Sequence, residues 1–151
     1  EAPVLESNDL NSADVVRVGG QRERSQLLFF VSPDCPVCKT LIPVIKSVAQ
    51  AESAWLDLVF ASDGERDAHL RFIESHGLQG FAYLSSETIG KQFGVSKLPY
   101  AVLLDPSGEV ASLGLVNSRE HLESLFESME RGVPSIQAYF QAHSAAVAGQ
   151  A

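Results

Sequence analysis

The sequence predicts an α/β fold in which helices flank a central, mixed β-sheet. Two continuous apolar runs, at residues 27–31 and 56–61, are typical of strands that are buried on both faces. Each run is followed by apolar residues at helical spacing, and the chain then continues into a hairpin and a further helix. This order of elements predicts one sheet with helices on both of its faces.

The composition indicates a globular domain and excludes some partners. The chain has 151 residues, enough for one domain with a full hydrophobic core. The formal net charge is −8 and there is no basic run, so nucleic acid is not expected as a partner. No stretch approaches the roughly 18–20 apolar residues of a membrane span. The start at Glu1 rather than Met fits a processed or trimmed part of a longer protein.

In its first half the chain is expected to alternate strands with helices. The N-terminal region is irregular apart from a short strand predicted at residues 15–18. Pro36 suits the first turn of the helix after the first buried strand, and Pro43 predicts a kink within that helix. Asp63 is a candidate N-cap for the next helix, and Gly77 is expected to end it in a left-handed conformation.

The second half is expected to add a strand, a short helix and a hairpin. The strand is predicted at residues 81–84 and the helix at residues 86–93. Asp-Pro-Ser-Gly at residues 105–108 is a strong turn signal, with Pro second and Gly fourth. The turn should join strands at residues 100–104 and 109–116 in a hairpin.

The C-terminal part is expected to contain one long helix, one short helix and a tail. Residues 117–120, Asn-Ser-Arg-Glu, resemble a capping box with Asn in the N-cap position. A last short helix is predicted at residues 135–140. We expect a single domain over residues 1–143 and a disordered tail over residues 144–151.

Cys35 and Cys38 are the two cysteines of the chain, and they lie where the first buried strand turns into a helix. Two thiols one helical turn apart can close a disulfide, and the first lies on the unpaired N–H groups of the helix. We expect Cys35 to be a partly exposed, attacking thiolate with a lowered pKa, and Cys38 to be the buried, resolving thiol. Pro36 and Val37 fill the space between them and shape the helix start.

Other roles for these residues stay open from the sequence. The cysteines could form a purely structural disulfide or half of a zinc site, which needs two more ligands. None of the histidines has compact ligand spacing with the cysteines, so no metal or other cofactor is predicted; the histidines are His69, His76, His121 and His143. Asp34 could raise the pKa of the Cys35 thiol, contact a basic substrate segment, or be a solvated loop acid.

Three motifs in the expected order resemble the thioredoxin fold. Cys-x-x-Cys opens a helix after a strand, Pro43 follows five residues past the second cysteine, and residues 94–100 precede a strand and an Asp-x-x-Gly turn. The resemblance implies a thioredoxin-like fold with a mid-chain strand-helix insert of the extracytoplasmic type at residues 81–93. It also implies a cis bond at Pro99, opposite the disulfide, which turns the Leu98 backbone toward an extended substrate peptide.

The chain also resembles the MauD family of methylamine-utilisation accessory proteins. Residues 28–41 are similar to the active-site segment of that family, and residues 117–125 and 135–137 to its C-terminal segment. The resemblance implies a periplasmic thiol-disulfide reductase or isomerase that helps to mature the small subunit of methylamine dehydrogenase. It further implies a separate redox partner that regenerates the site. The membrane association that it implies is through an N-terminal anchor absent from this chain.

Departures from thioredoxin leave alternative functions open. Phe29 stands where thioredoxin has a buried acid, so the proton acceptor for the buried thiol is missing at that position, and Asp34 replaces a tryptophan. A general extracytoplasmic reductase, for other secreted proteins or for cytochrome maturation, fits the same motifs. A copper chaperone needs a wider cysteine spacing, and a thiol peroxidase needs Pro where Leu28 stands. A redox-inactive docking module is the remaining alternative.

Overall fold

The structure is a computed structural model and describes residues 4–130. The predicted short helix at 135–140, the predicted tail at 144–151 and His143 therefore lie outside the described residues. Seven strands and four helices follow one another along the described chain: β1 Leu5–Asn8, β2 Val15–Val18, β3 Ser25–Phe30, α1 Pro36–Ala51, β4 Leu56–Ser62, α2 Arg66–His76, β5 Ala82–Ser85, α3 Glu87–Gln92, β6 Tyr100–Leu104, β7 Val110–Leu115 and α4 Arg119–Glu130.

The central sheet has five strands in the order β5-β4-β3-β6-β7. Strands β3, β4 and β5 are parallel to one another, whereas β6 is antiparallel to both β3 and β7. The carboxyl ends of the three parallel strands therefore meet at one edge of the sheet. Phe30 at the end of β3 pairs with Tyr100 at the start of β6, so the segment before β6 reaches the same edge.

Apolar side chains cover both faces of this sheet. One buried cluster joins Phe29 and Phe60 to α1, α2 and α4, and the other joins Leu28 and Phe30 to α3 and to Val18 of β2. The predicted mixed sheet with helices on both faces is confirmed. Strand β5 and helix α3 correspond to the expected mid-chain insert, and β5 forms the sheet edge beside β4.

Strand β1 was not predicted, and two helix caps differ from their predictions. The β1 segment has no alternating apolar pattern, and it is ordered by antiparallel pairing with β2. The N-cap of α2 is Glu65 rather than Asp63, and no side chain caps that helix. At α4 the Ser118 hydroxyl, not Asn117, accepts the N–H of His121 at 3.3 Å, while His121 Nδ1 accepts the N–H of Asn117 at 2.9 Å.

None of the helices within residues 4–130 is both long enough and apolar enough to span a membrane.

The turn between β6 and β7 packs against the loop after β2. Asp105 Oδ1 accepts the N–H groups of Ser107 and Glu109, at 2.9 and 3.1 Å. Gly108 in this turn has a φ of 91°, and a Cβ on it would lie 2.6 Å from the backbone N and O of Gly20. This position therefore requires glycine both for its backbone conformation and for the close approach of the loop.

Replacing Gly108 with alanine should destabilise the fold. We expect Gly108→Ala to lower the free energy of unfolding by about 2 kcal/mol, since the new methyl group meets backbone that cannot move independently. The matched control is Gly90→Ala in α3, where the added Cβ has no atom within 4 Å apart from its chain neighbours and the backbone of its own helix. That variant should be unchanged or up to about 1 kcal/mol more stable. Urea denaturation measures both, and equal stabilities of the two variants would contradict the packing described.

Candidate active site

Helix α1 begins directly at the Cys-x-x-Cys segment. Cys35 is its N-cap residue, in an extended conformation, and Pro36 occupies the first turn, where a missing N–H costs nothing. The N–H of Cys38 points back to Cys35 Sγ at a distance of 3.1 Å. The sulfur of Cys35 thus takes the place of a capping oxygen, at the positive end of the helix. A negative charge on this sulfur after reduction is stabilised by the same N–H group and helix terminus.

The two cysteines form a disulfide and differ in their access to solvent. Their Cα atoms are 5.2 Å apart, within the usual range for a disulfide. Cys38 is fully buried at 0% exposure, whereas Cys35 is partly exposed. A second polypeptide can therefore reach Cys35 and cannot reach Cys38 while the fold is intact.

The segment before β6 lies at the sheet edge where β3 ends and the Cys-x-x-Cys segment follows. The Leu98–Pro99 peptide bond is cis, which agrees with the sequence prediction. Pro99 is buried and its carbonyl accepts the N–H of Val116 at 3.0 Å. Leu98 is 39% exposed, and among residues 4–130 its backbone has no hydrogen-bond partner. With Val37, which is 41% exposed, it places apolar surface at the site.

An aromatic pair occupies the core on the face of the sheet that carries Cys38. The rings of Phe29 and Phe60 lie edge to face, with their centroids 6.1 Å apart, and both residues are fully buried. Cys38 belongs to the same buried cluster. Phe29, which stands where thioredoxin has a buried acid, thus contributes an aromatic ring to the core beside Cys38.

A buried polar pair ties α2 to β5 within this layer. His69 is 1% exposed; its Nδ1 lies 2.9 Å from the Tyr83 hydroxyl and its Nε2 lies 2.5 Å from the Asp63 carbonyl. Since a carbonyl can only accept, Nε2 carries the proton and Nδ1 accepts from Tyr83. Burial raises the pKa of Tyr83 to about 12. The sequence suggests His69 only as a possible metal ligand. It does not predict the pairing with Tyr83, because that pairing depends on tertiary contact.

The candidate metal ligands that lie within the described part of the chain do not converge. Within residues 4–130 no three side chains of His, Cys, Asp or Glu are close enough together to hold a metal ion. His69 and His121 are instead engaged in hydrogen bonds to neighbouring protein groups. Asp34 is exposed beside Cys35, and its N–H group donates to the Ser32 hydroxyl at 3.2 Å.

A thioredoxin-like family model matches residues 23–110 of the chain. The curated relatives are methylamine utilization proteins MauD. The chain is 46% identical over 140 residues to that of Methylorubrum extorquens, covering 91% of this chain and 67% of the relative. It is 46% identical over 126 residues to that of Paracoccus denitrificans, covering 82% of this chain and 62% of the relative. The chain thus spans about two thirds of the length of these relatives.

Solved structures show the same fold at low sequence identity. A thiol-disulfide oxidoreductase from Bacteroides fragilis superposes with a TM-score of 0.68 at 21% identity, over 83% of this chain and 97% of the other. A secreted Mycobacterium tuberculosis disulfide oxidoreductase superposes with a TM-score of 0.65 at 20% identity, over 84% of this chain and 95% of the other. At such identities the likeness establishes the fold alone.

The difference in burial predicts selective labelling of the two thiols. In the reduced, folded protein, iodoacetamide should alkylate Cys35 at least about tenfold faster than Cys38, because the buried sulfur is reached only after local opening. Quenched labelling followed by peptide mass spectrometry measures both rates. In denaturant the two rates should become similar. Equal labelling of both thiols in the folded protein would contradict the described burial.

The buried Tyr83 predicts a loss of stability at alkaline pH. Its pKa is raised above the ordinary 10.0, so the unfolded state loses the proton first as the pH rises past 10.0. Between pH 9 and pH 11 the wild type should lose about 1 kcal/mol through this residue. Tyr83→Phe should lack that loss and should be about 1–2 kcal/mol less stable at pH 7, because His69 loses its partner.

Urea denaturation as a function of pH tests this, with Tyr100→Phe as the control. Tyr100 lies outside the His69 pair, and burial raises its pKa as well. Its variant should therefore lack only the part of the alkaline loss that comes from Tyr100 and should retain the part that comes from Tyr83. A Tyr83→Phe protein with the wild-type slope between pH 9 and pH 11 would refute the assignment.

Proposed function

The chain belongs to the MauD family of thioredoxin-like proteins, and from this we propose that it is a thiol-disulfide oxidoreductase acting on a protein substrate. This membership confirms the family resemblance predicted from residues 28–41. The observation that carries the proposal is the contrast between Cys35, partly exposed at the start of α1, and Cys38, buried one turn inside the helix.

The chemistry proceeds in two exchanges once the site is reduced. The Cys35 thiolate attacks one sulfur of a substrate disulfide, so that a Cys35–substrate disulfide forms and the other substrate sulfur leaves as a thiolate. The Cys38 thiolate then attacks Cys35 Sγ and releases the substrate as a thiol. Two electrons pass to the substrate, and the Cys35–Cys38 disulfide forms. A separate redox partner must reduce this disulfide before the next turnover.

The segment before β6 supplies the docking site for the substrate backbone. The unpaired backbone groups of Leu98 support pairing with an extended peptide, next to the buried Pro99. The exposed side chains of Val37 and Leu98 offer apolar surface to the substrate. Pro36 holds the start of α1 so that Cys35 Sγ faces the incoming disulfide.

The name of the relatives supports a specific substrate. They are methylamine utilization proteins, and we propose that this chain helps to mature the small subunit of methylamine dehydrogenase as a reductase or isomerase. A substrate with many disulfides favours reduction or isomerisation, because wrong pairings have to be corrected. We place the protein in the periplasm, held at the inner membrane by an N-terminal helix.

Removal of the resolving thiol should trap the substrate. Cys38→Ser, expressed in the periplasm of a methylamine-grown host, should remain joined to the dehydrogenase small subunit through Cys35, because the second exchange cannot occur. Non-reducing electrophoresis and mass spectrometry identify the adduct. The matched control is Cys35→Ser, which keeps the buried thiol and should capture nothing.

The other outcomes separate the alternative functions. Capture of many secreted proteins would replace the dedicated role with that of a general thiol-disulfide enzyme. No adduct, in cells that are making the dehydrogenase, would contradict redox catalysis and favour docking or metal delivery.

A further inference from the structure

A groove of about 280 Å³ lies beside the reactive cysteine, between the active-site loop and α2. Asp34, the residue before Cys35, lines its edge, and Phe72 of α2 contributes a buried aromatic ring. Lys39 also lines the groove, one helical turn beyond Cys35, and its N–H donates to the Cys35 carbonyl at 3.2 Å. A polypeptide whose cysteine meets Cys35 from this side must therefore lay its neighbouring residues over the groove.

The charged side chains that line the groove are mainly basic, whereas the chain as a whole is acidic. Acidic residues outnumber Lys and Arg by 19 to 11 in the whole sequence. The groove, in contrast, is lined by Lys39, Arg71 and His76 against the single carboxylate of Asp34. Acidic groups thus dominate the protein as a whole, whereas basic groups dominate the surface next to the reacting sulfur.

The two cationic side chains of the groove are free to bind a partner. Within the part of the chain that the structure describes, neither Lys39 nor Arg71 forms an ion pair or a side-chain hydrogen bond. Lys46 Nζ donates to the carbonyl groups of His76 and Gly77 at the end of α2, at 3.3 and 3.1 Å. Without this cation, these carbonyl groups would repel an anion in the groove. The groove therefore offers unpaired positive charge, and the negative end of α2 is partly neutralised.

We propose that this groove binds an acidic segment of the substrate polypeptide, adjacent to the cysteine that Cys35 attacks. The inference rests on the proposed function and adds to it the class of sequence that the site prefers. Carboxylates of the segment pair with the guanidinium of Arg71 and the ammonium of Lys39. Because exposed ion pairs are individually weak, they act by selecting substrates and accelerating encounter rather than by giving high affinity.

Matched peptides test the preference. Each peptide carries one cysteine in a disulfide with pyridine-2-thiol and is flanked either by Asp and Glu or by Asn and Gln. The Cys35 thiolate of the reduced protein attacks the cysteine sulfur of the peptide and expels pyridine-2-thiolate. Cys38 then attacks Cys35 Sγ, which releases the peptide thiol and forms the protein disulfide. Release of pyridine-2-thione gives the rate constant for each peptide.

The wild type should react about three- to tenfold faster with the acidic peptide than with the neutral one at low ionic strength. This ratio should fall below one in Lys39→Glu/Arg71→Glu, because the reversed groove repels the acidic peptide. In the wild type the ratio should fall toward one with added salt. The ratio is compared within each variant, so that any change in the intrinsic reactivity of Cys35 cancels. Lys39→Gln/Arg71→Gln should give an intermediate ratio.

Lys91→Glu is the control for net charge. Lys91 lies on α3, which packs on the opposite face of the sheet from α2, and it pairs only with the exposed Glu87 among residues 4–130. This variant should keep the wild-type ratio.

Two results would overturn the inference while peptide exchange itself proceeds. One is a ratio near one in the wild type, and the other is an unchanged ratio in Lys39→Glu/Arg71→Glu. Absence of exchange with any peptide would instead overturn the proposed function on which the inference rests.

Discussion

The burial of strand β3 on both faces and its pairing on both edges constrain the rest of the structure. Its parallel partner β4 brings the start of α2 to the edge where β3 ends, and its antiparallel partner β6 brings Pro99 to the same edge. The chain leaves β3 at Phe30 and must turn there into α1. The reactive cysteine, the cis-proline and the groove beside α2 therefore meet because one strand is central and fully paired.

The junction between β3 and α1 gives the two cysteines different surroundings. Cys35 lies outside the helix with its sulfur facing the N–H of Cys38, whereas Cys38 lies inside the helix in a cluster that also contains Phe29 and Phe60. A helix terminus stabilises charge on the first sulfur, and an aromatic core disfavours charge on the second. We infer the direction of attack from this contrast, because of the two sulfurs only that of Cys35 is accessible and lies at the helix terminus.

Local signals in the sequence predicted the junction and the sheet well. The apolar runs, the cysteine spacing and the turn at Asp105 are all encoded within a few residues, and the structure has each of them. Features that depend on distant residues were not predicted. Strand β1 exists through its pairing with β2, and the His69–Tyr83 pair and the groove between Asp34 and Arg71 join residues that are remote in sequence. No local pattern encodes such contacts.

We infer that the start of α1 makes Cys35 the reactive thiolate. Thiolate absorbance of Cys38→Ser, which has a single thiol, measures the ionisation of Cys35 as the pH is raised. We expect half of the Cys35 thiol to be ionised at least about one pH unit below the ordinary value of roughly 8.5. Half-ionisation at or above that value would show that the helix terminus does not stabilise the thiolate on which the proposed chemistry depends.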